Sequence, residues 1–158
     1  MTGKMKQTAY FACGCFWHPE HEFSKFGETE VGYMGGDEKK FPNPTYEQVC
    51  SDKTGYAETV KIVFEEVSYD ELLDVFWRIH DPTQLNRQGA DIGSQYRSAI
   101  FYVNAEQKKK AEKSKKKQER KLGKKIVTEI KKAEKFFKAE DYHQKYLQKG
   151  AYAISNEK

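Results

Sequence analysis

Cys13-Gly14-Cys15-Phe16-Trp17 places two thiols at the end of an apolar run, Thr8-Ala9-Tyr10-Phe11-Ala12, and follows the second thiol with two large aromatics. A strand passing through Gly14 into a helix over Cys15–Phe26 would set Cys15 at a helix N-terminus. There, unpaired backbone N–H groups and the positive end of the macrodipole favour a thiolate. A thiolate beside an aromatic floor is equipped to attack a small, partly apolar electrophile. Polar and aromatic side chains gather in two further stretches that read as loops: Tyr46, Glu47, Tyr56 and Glu58 in one, Asp91, Gln95 and Tyr96 in the other. Converging on Cys15, they would supply a carboxylic acid and phenolic donors. That set suits a neutral, oxygen-bearing centre whose oxygen is protonated as it leaves. The plain alternatives are a core strand ending in two buried cysteines, a solvent-facing Glu58 and ordinary half-buried tyrosines. Phe16 and Trp17 point about 100° apart on a helix, so they cannot share one core stripe and one is left to line a pocket.

The elements that must position these groups alternate along the chain without repeats or long linkers. Gln7–Ala12 predicts a strand, and Thr29–Tyr33 a second that ends at Gly35-Gly36, ahead of a polar loop over Asp37–Pro44. Glu58–Phe64 alternates as a strand with Val60, Ile62 and Phe64 on one side. Tyr69–His80 is an amphipathic helix carrying Leu72, Leu73, Val75, Phe76 and Ile79, stopped by Asp81-Pro82. Thr83–Gln95 reads as a loop, Ser98–Val103 as a strand, Ala105–Leu122 as a helix, Ile126–Ile130 as a last strand and Phe136–Leu147 as a short helix or turn. This order predicts an α+β fold, a two-layer α/β sandwich, in one domain spanning residues 1–158.

Composition narrows the class. The three cysteines, Cys13, Cys15 and Cys50, are an odd number and argue against a disulfide framework. Met1-Thr2-Gly3-Lys4-Met5-Lys6 lacks the apolar region of a signal peptide, and no window approaches the 18 apolar residues of a membrane span, so a cytoplasmic protein is expected. The net charge of +4 conceals an uneven distribution: 106–125 holds eleven Lys/Arg against three Glu, a local +8, leaving −4 for the remainder. This run has good helix formers and no aromatics to stack on bases, so it reads as a solvated surface helix with no nucleic acid to bind. Ala105, Ala111, Leu122 and the lysine stems would anchor it.

Taken together, the motifs resemble the A-class peptide methionine sulfoxide reductases. The resemblance is carried by Gly14-Cys15-Phe16-Trp17, Glu30-Val31-Gly32-Tyr33-Met34-Gly35-Gly36, Asn43-Pro44-Thr45-Tyr46-Glu47-Gln48-Val49-Cys50 and Thr54-Gly55-Tyr56-Ala57-Glu58. The long run from His80 to Ser98, with Asn86-Arg87-Gln88-Gly89-Ala90-Asp91-Ile92-Gly93-Ser94-Gln95-Tyr96, and the late stretch Ala139–Leu147 complete it, over about residues 7–150. It implies a ferredoxin-like plait with added loops and helices, and reduction of methionine-S-sulfoxide, free or in peptides and oxidised proteins, to methionine. By the same resemblance Cys15 is the nucleophile that becomes a sulfenic acid, and Phe16 and Trp17 cup the substrate methyl group. Glu58 protonates the sulfoxide oxygen, Tyr46 and Tyr96 donate hydrogen bonds to it, and Asp91 supports the site. A monomer with no bound cofactor or metal is expected, recycled by an external thiol of thioredoxin or glutaredoxin type, or dithiothreitol in vitro.

The chain departs from that pattern twice. Tyr56 stands where the usual Thr-Gly-His-Ala-Glu motif has His, which should change a supporting hydrogen bond. No cysteine follows Cys50, so a resolving thiol in a C-terminal tail is absent, leaving Cys13, Cys50 or an external thiol acting directly on the sulfenic acid. Two other readings are weaker. A papain-like protease would use Cys15, His143 and Asn156, but Phe16 intrudes between Cys and Trp and the chain is short for two lobes. Zinc held by Cys13, Cys15, His18 and His21 would need an unfamiliar ligand spacing.

Overall fold

A computed structural model describes residues 5–149. Its centre is a six-stranded sheet in the order β7-β6-β1-β3-β2-β8, antiparallel throughout except for the parallel pair β6–β7. The strands are β1 (Gln7–Cys13), β2 (Glu28–Met34), β3 (Ala57–Phe64), β6 (Ser98–Tyr102), β7 (Glu129–Lys132) and β8 (Phe137–Lys138). Two-residue strands β4 (Arg87–Gln88) and β5 (Asp91–Ile92) form a separate small hairpin. The mixed α/β architecture follows from alternation. In β3, Val60, Ile62 and Phe64 face a core shared with Phe11, Phe23, Leu72, Leu73 and Phe76. Ala57 faces the opposite side, where Ala12, Met34, Ala99 and Phe101 form a smaller cluster under Phe136. Glu58 has the parity of the main core and is 1% exposed, so the solvent-facing alternative fails.

The helices α1 (Trp17–Phe23), α3 (Tyr69–Arg78) and α4 (Ala105–Leu122) contact one another or the strands on the main-core side. Ser68 caps α3 by accepting the Glu71 N–H at 3.1 Å, and Asn104 caps α4 by accepting that of Gln107 at 2.8 Å. Gly123, with φ +66°, ends α4 in the left-handed conformation that glycine adopts at least cost.

Several expectations are corrected. The first helix begins at Trp17 and stops at Phe23, with Phe16 as its cap, so Cys15 precedes the helix. Tyr46 and Glu47 lie on a short helix, α2 (Tyr46–Cys50), because Thr45 and Gln48 form a reciprocal capping box. The 83–95 segment contains the β4–β5 hairpin and leads into a 3₁₀ turn, Ser94–Tyr96. The last long strand slips to Glu129–Lys132, while Phe136–Leu147 splits into β8, a 3₁₀ turn at Asp141–His143 and the start of a further helical turn. Ala105 and Leu122 are exposed; polar contacts hold α4 beside buried Ala111. Gln107 donates to the Thr8 carbonyl at 3.0 Å, Ser114 accepts from Trp77 Nε1 at 2.6 Å and Lys115 reaches the Thr128 carbonyl at 2.9 Å. Apolar periodicity could not reveal anchors of this kind.

Candidate active site

Gly14 turns the chain between β1 and α1 at φ +98°, and a Cβ there would lie 3.0 Å from Gln88 Cγ. Glycine meets both demands, and the turn presents Cys15, half-buried, beside the cap of α1. The sulfur receives the backbone N–H of Trp17, but burial dominates and, with the charge of Asp91 adding to it, pushes the thiol up to about 12. The resting group is therefore a neutral thiol, which corrects the thiolate expectation. One N–H at the start of a seven-residue helix does not offset removal from water.

Glu58 lies across the sheet from Tyr33 in the β2–β3 register. One carboxyl oxygen, Oε1, accepts the Phe16 N–H at 3.2 Å; the other, Oε2, is buried without a hydrogen-bond partner. Burial pushes its pKa up to about 8, helped by the charge of Asp91 and opposed by the Phe16 N–H. A carboxyl with one oxygen tied and the other free is a protonated acid at neutral pH with somewhere to send its proton.

Phe16 is 1% exposed and packs against Tyr33 and His143, while Trp17 stays half-buried and stacks on Tyr146 at 3.8 Å between ring centroids. Of the pair, Trp17 is the one left to form a wall. Its Nε1–H donates to His143 Nδ1 at 3.0 Å, so neutral His143 carries its proton on Nε2, which is buried without a partner. Burial pulls His143 below its ordinary pKa, preserving that acceptor.

Tyr46 hydrogen-bonds Cys50 through its hydroxyl, and burial raises its pKa. Tyr96 ends the 3₁₀ turn; burial first, then Glu58, pushes it up to about 12. Both phenols thus remain protonated donors. Asp91 is exposed on β5 and acts on Cys15, Glu58 and Tyr96 through its charge. Cys50 is exposed at the end of α2, whereas Cys13 is buried at the end of β1, opposite Ser98, with its thiol raised far above the usual range by burial. Tyr56 serves the surrounding loop: its hydroxyl donates to the Phe41 carbonyl at 2.8 Å.

Four participants were not singled out from the residues alone: Tyr33, Glu140, His143 in this role, and Tyr146. Glu140 accepts from the Tyr33 hydroxyl at 2.9 Å and from the Tyr46 N–H at 2.8 Å, joining β2 to α2 behind the site. The clue was the density of Tyr and His in 140–147, more than 120 residues from Cys15. His143 engages Trp17 in place of the protease-like arrangement, and Asn156 lies outside the described residues. Among the described residues, no group of three or more His, Cys, Asp or Glu could hold a metal ion, and no helix is long and apolar enough to cross a membrane.

A turn-borne thiol, a buried carboxylic acid, an aromatic wall and two phenols thus gather on one mixed α/β scaffold. Comparison with known proteins gives the family. The peptide methionine sulfoxide reductase family model matches residues 7–156. The chain is 51% identical over 155 residues to the peptide methionine sulfoxide reductase MsrA of Methanococcus maripaludis, covering 95% of this chain and 97% of that one. It is 50% identical to a peptide methionine sulfoxide reductase of Brassica napus, covering 92% of this chain but spanning only 57% of that longer protein. Mxr1 of Saccharomyces cerevisiae in reduced form superposes with a TM-score of 0.88 at 38% identity, over 92% of this chain and 86% of Mxr1. Mxr1 in complex with Trx2 aligns at 0.62 and 26%, over 92% of this chain and 89% of that one. The chain belongs to the peptide methionine sulfoxide reductase family and is an oxidoreductase.

Proposed function

We propose that this enzyme reduces methionine-S-sulfoxide, free or within oxidised proteins and peptides, with Cys15 as nucleophile and Glu58 as acid. The observation that carries the assignment is the buried Glu58 carboxyl with Oε2 unpartnered, next to the turn that bears Cys15. Trp17, with Phe16 packed behind it, receives the apolar S-methyl group. Glu58, Tyr46 and Tyr96 address the sulfoxide oxygen, and Asp91 supports the site from the hairpin. As Glu58 protonates the oxygen, the sulfoxide sulfur becomes electrophilic enough for the Cys15 sulfur to attack as it loses its proton. The hydroxyl then passes from the substrate sulfur to the Cys15 sulfur as the substrate S–O bond and the newly formed S–S bond break, so methionine leaves reduced and Cys15 carries the oxygen as a sulfenic acid. The thiol proton restores Glu58.

Regeneration needs two reducing equivalents. One external thiol displaces water from the sulfenic acid to form a mixed disulfide, and a second releases Cys15. Burial of Cys13 argues against it as a partner, and we assign the step to an external thiol acting directly, of thioredoxin type as in the Mxr1–Trx2 pair. Cys50 is the competing internal thiol. We read the unit as a single cytoplasmic domain and a monomer, working without bound cofactor, metal or nucleic acid. Its β1-α1-β2-β3-α3-β6 core supports a ferredoxin-like plait through the strand order β6-β1-β3-β2.

One equivalent of substrate without reductant tests the chemistry and the recycling together. Release of one methionine per chain with loss of one titratable thiol, trappable as sulfenic acid on Cys15, is expected. Loss of two thiols mapped to Cys15 and Cys50 would replace the direct route, and no methionine release would overturn the activity.

A further inference from the structure

Tyr46 and Tyr96 sit on different elements, α2 and the 3₁₀ turn, yet both must reach one oxygen atom. What ties these elements across the site is Asp52. It follows the Ser51 cap of α2 in the left-handed region, φ +62°, which aspartate tolerates better than most residues. Its Oδ1 accepts the Ser94 N–H at 3.1 Å and the Ser94 hydroxyl as well. Ser94 opens the 3₁₀ turn that ends in Tyr96, so Asp52 caps that turn from the far side of the cleft. We infer that the Asp52–Ser94 clasp is a positioning device, setting the separation between the Tyr46 and Tyr96 hydroxyls so that both address the sulfoxide oxygen.

The inference rests on the proposed roles of the two tyrosines. The clasp lies at the surface, where a charge-assisted pair contributes little to global stability but still restricts two short elements. Asp52→Gly is the informative variant. Glycine accepts φ +62° without cost, so the backbone keeps its conformation while the clasp is lost. The expected result is a three- to ten-fold lower single-turnover rate, on the order of one lost hydrogen bond. KM should change by less than about two-fold, because the Phe16–Trp17 wall is untouched. Asp52→Asn keeps an acceptor oxygen and should recover most of the loss.

In a Tyr46→Phe/Tyr96→Phe background, Asp52→Gly should have no further effect, because the clasp would have nothing left to position. A wild-type single-turnover rate in Asp52→Gly would overturn the inference, as would an undiminished effect in the double-phenylalanine background. If the double-phenylalanine enzyme itself turned over at the wild-type rate, the tyrosine assignment would fail first, and separately.

Discussion

Among the described residues two glutamates, Glu20 and Glu58, are buried, and the fold treats them in opposite ways. Glu20, on α1, is saturated: Oε1 accepts the Lys145 N–H at 2.7 Å, and Oε2 accepts the Thr29 hydroxyl and the Lys145 ammonium, each at 3.1 Å. Lys145 also donates to the Thr29 carbonyl, so this cluster fastens the C-terminal segment to α1 and β2. Glu58 receives one backbone N–H and is otherwise left without partners in an apolar wall. Equal burial therefore produces a fully partnered structural carboxyl in one place and an under-satisfied acid in the other. The difference lies in how many donors the fold supplies. An under-satisfied carboxyl costs stability, and that cost is tolerated where the proton is needed.

The largest expected effect comes from removing the nucleophile. Cys15→Ser should abolish methionine release, since a serine hydroxyl is harder and gives up its proton far less readily than a thiol, so it cannot attack sulfur; activity above a few per cent of wild type, measured by single turnover, would contradict the assignment. Glu58→Gln should cost about 10²–10⁴ in rate. It also breaks or sharpens the comparison through stability. The folded pKa of Glu58, about 8, lies above its unfolded value, so the native state holds this proton more tightly. That contribution is fully present below the ordinary carboxyl pKa of 4.5, is lost progressively as pH rises through about 8, and levels off above it, where both states have released the proton. Glu58→Gln should therefore raise Tm at pH 8 to 9 while losing activity, and a lower Tm there would mean the carboxyl is better satisfied than the geometry indicates.

Glu20→Gln should do the reverse. Losing the charge opposite Lys145 should lower stability by about 2 kcal/mol in denaturant melts, leaving single-turnover rates within a few-fold of wild type. A rise in stability would show that desolvation, and not pairing, dominates there. The pH profile of the wild-type first turnover should fall above about pH 8 as Glu58 ionises, a limb that Glu58→Gln lacks. The smallest effect belongs to Cys13→Ser, which should retain first-turnover and dithiothreitol-driven activity; loss of thioredoxin-driven turnover alone would return Cys13 to the recycling path.

Much of this was legible in the chain. Local signals located β1, β2, β3, α3, β6 and α4 closely, because alternation, capping residues and the Asp81-Pro82 stop act over a few residues. The short helix at Tyr46–Cys50 and the β4–β5 hairpin were hidden, since five-residue and two-residue elements have no periodicity to read. The site residues could be named through their motifs, yet their ionisation states could not. Cys15 was expected as a thiolate because the helix N-terminus was visible in the sequence, whereas the burial that outweighs it was not.

By itself, then, the sequence determined the types of reactive group, the alternation of Val60, Ile62 and Phe64 in β3, and the glycine that allows the Cys15 turn. The tertiary structure alone decided which buried carboxyl is fully partnered, which of Phe16 and Trp17 is left partly exposed, that His143 holds the Trp17 indole, and that Asp52 bridges to Ser94. The physical reason is range. Propensity, parity and turn chemistry act between neighbours along the chain, while desolvation and hydrogen-bond partners depend on groups that only the folded sheet brings within a few ångströms.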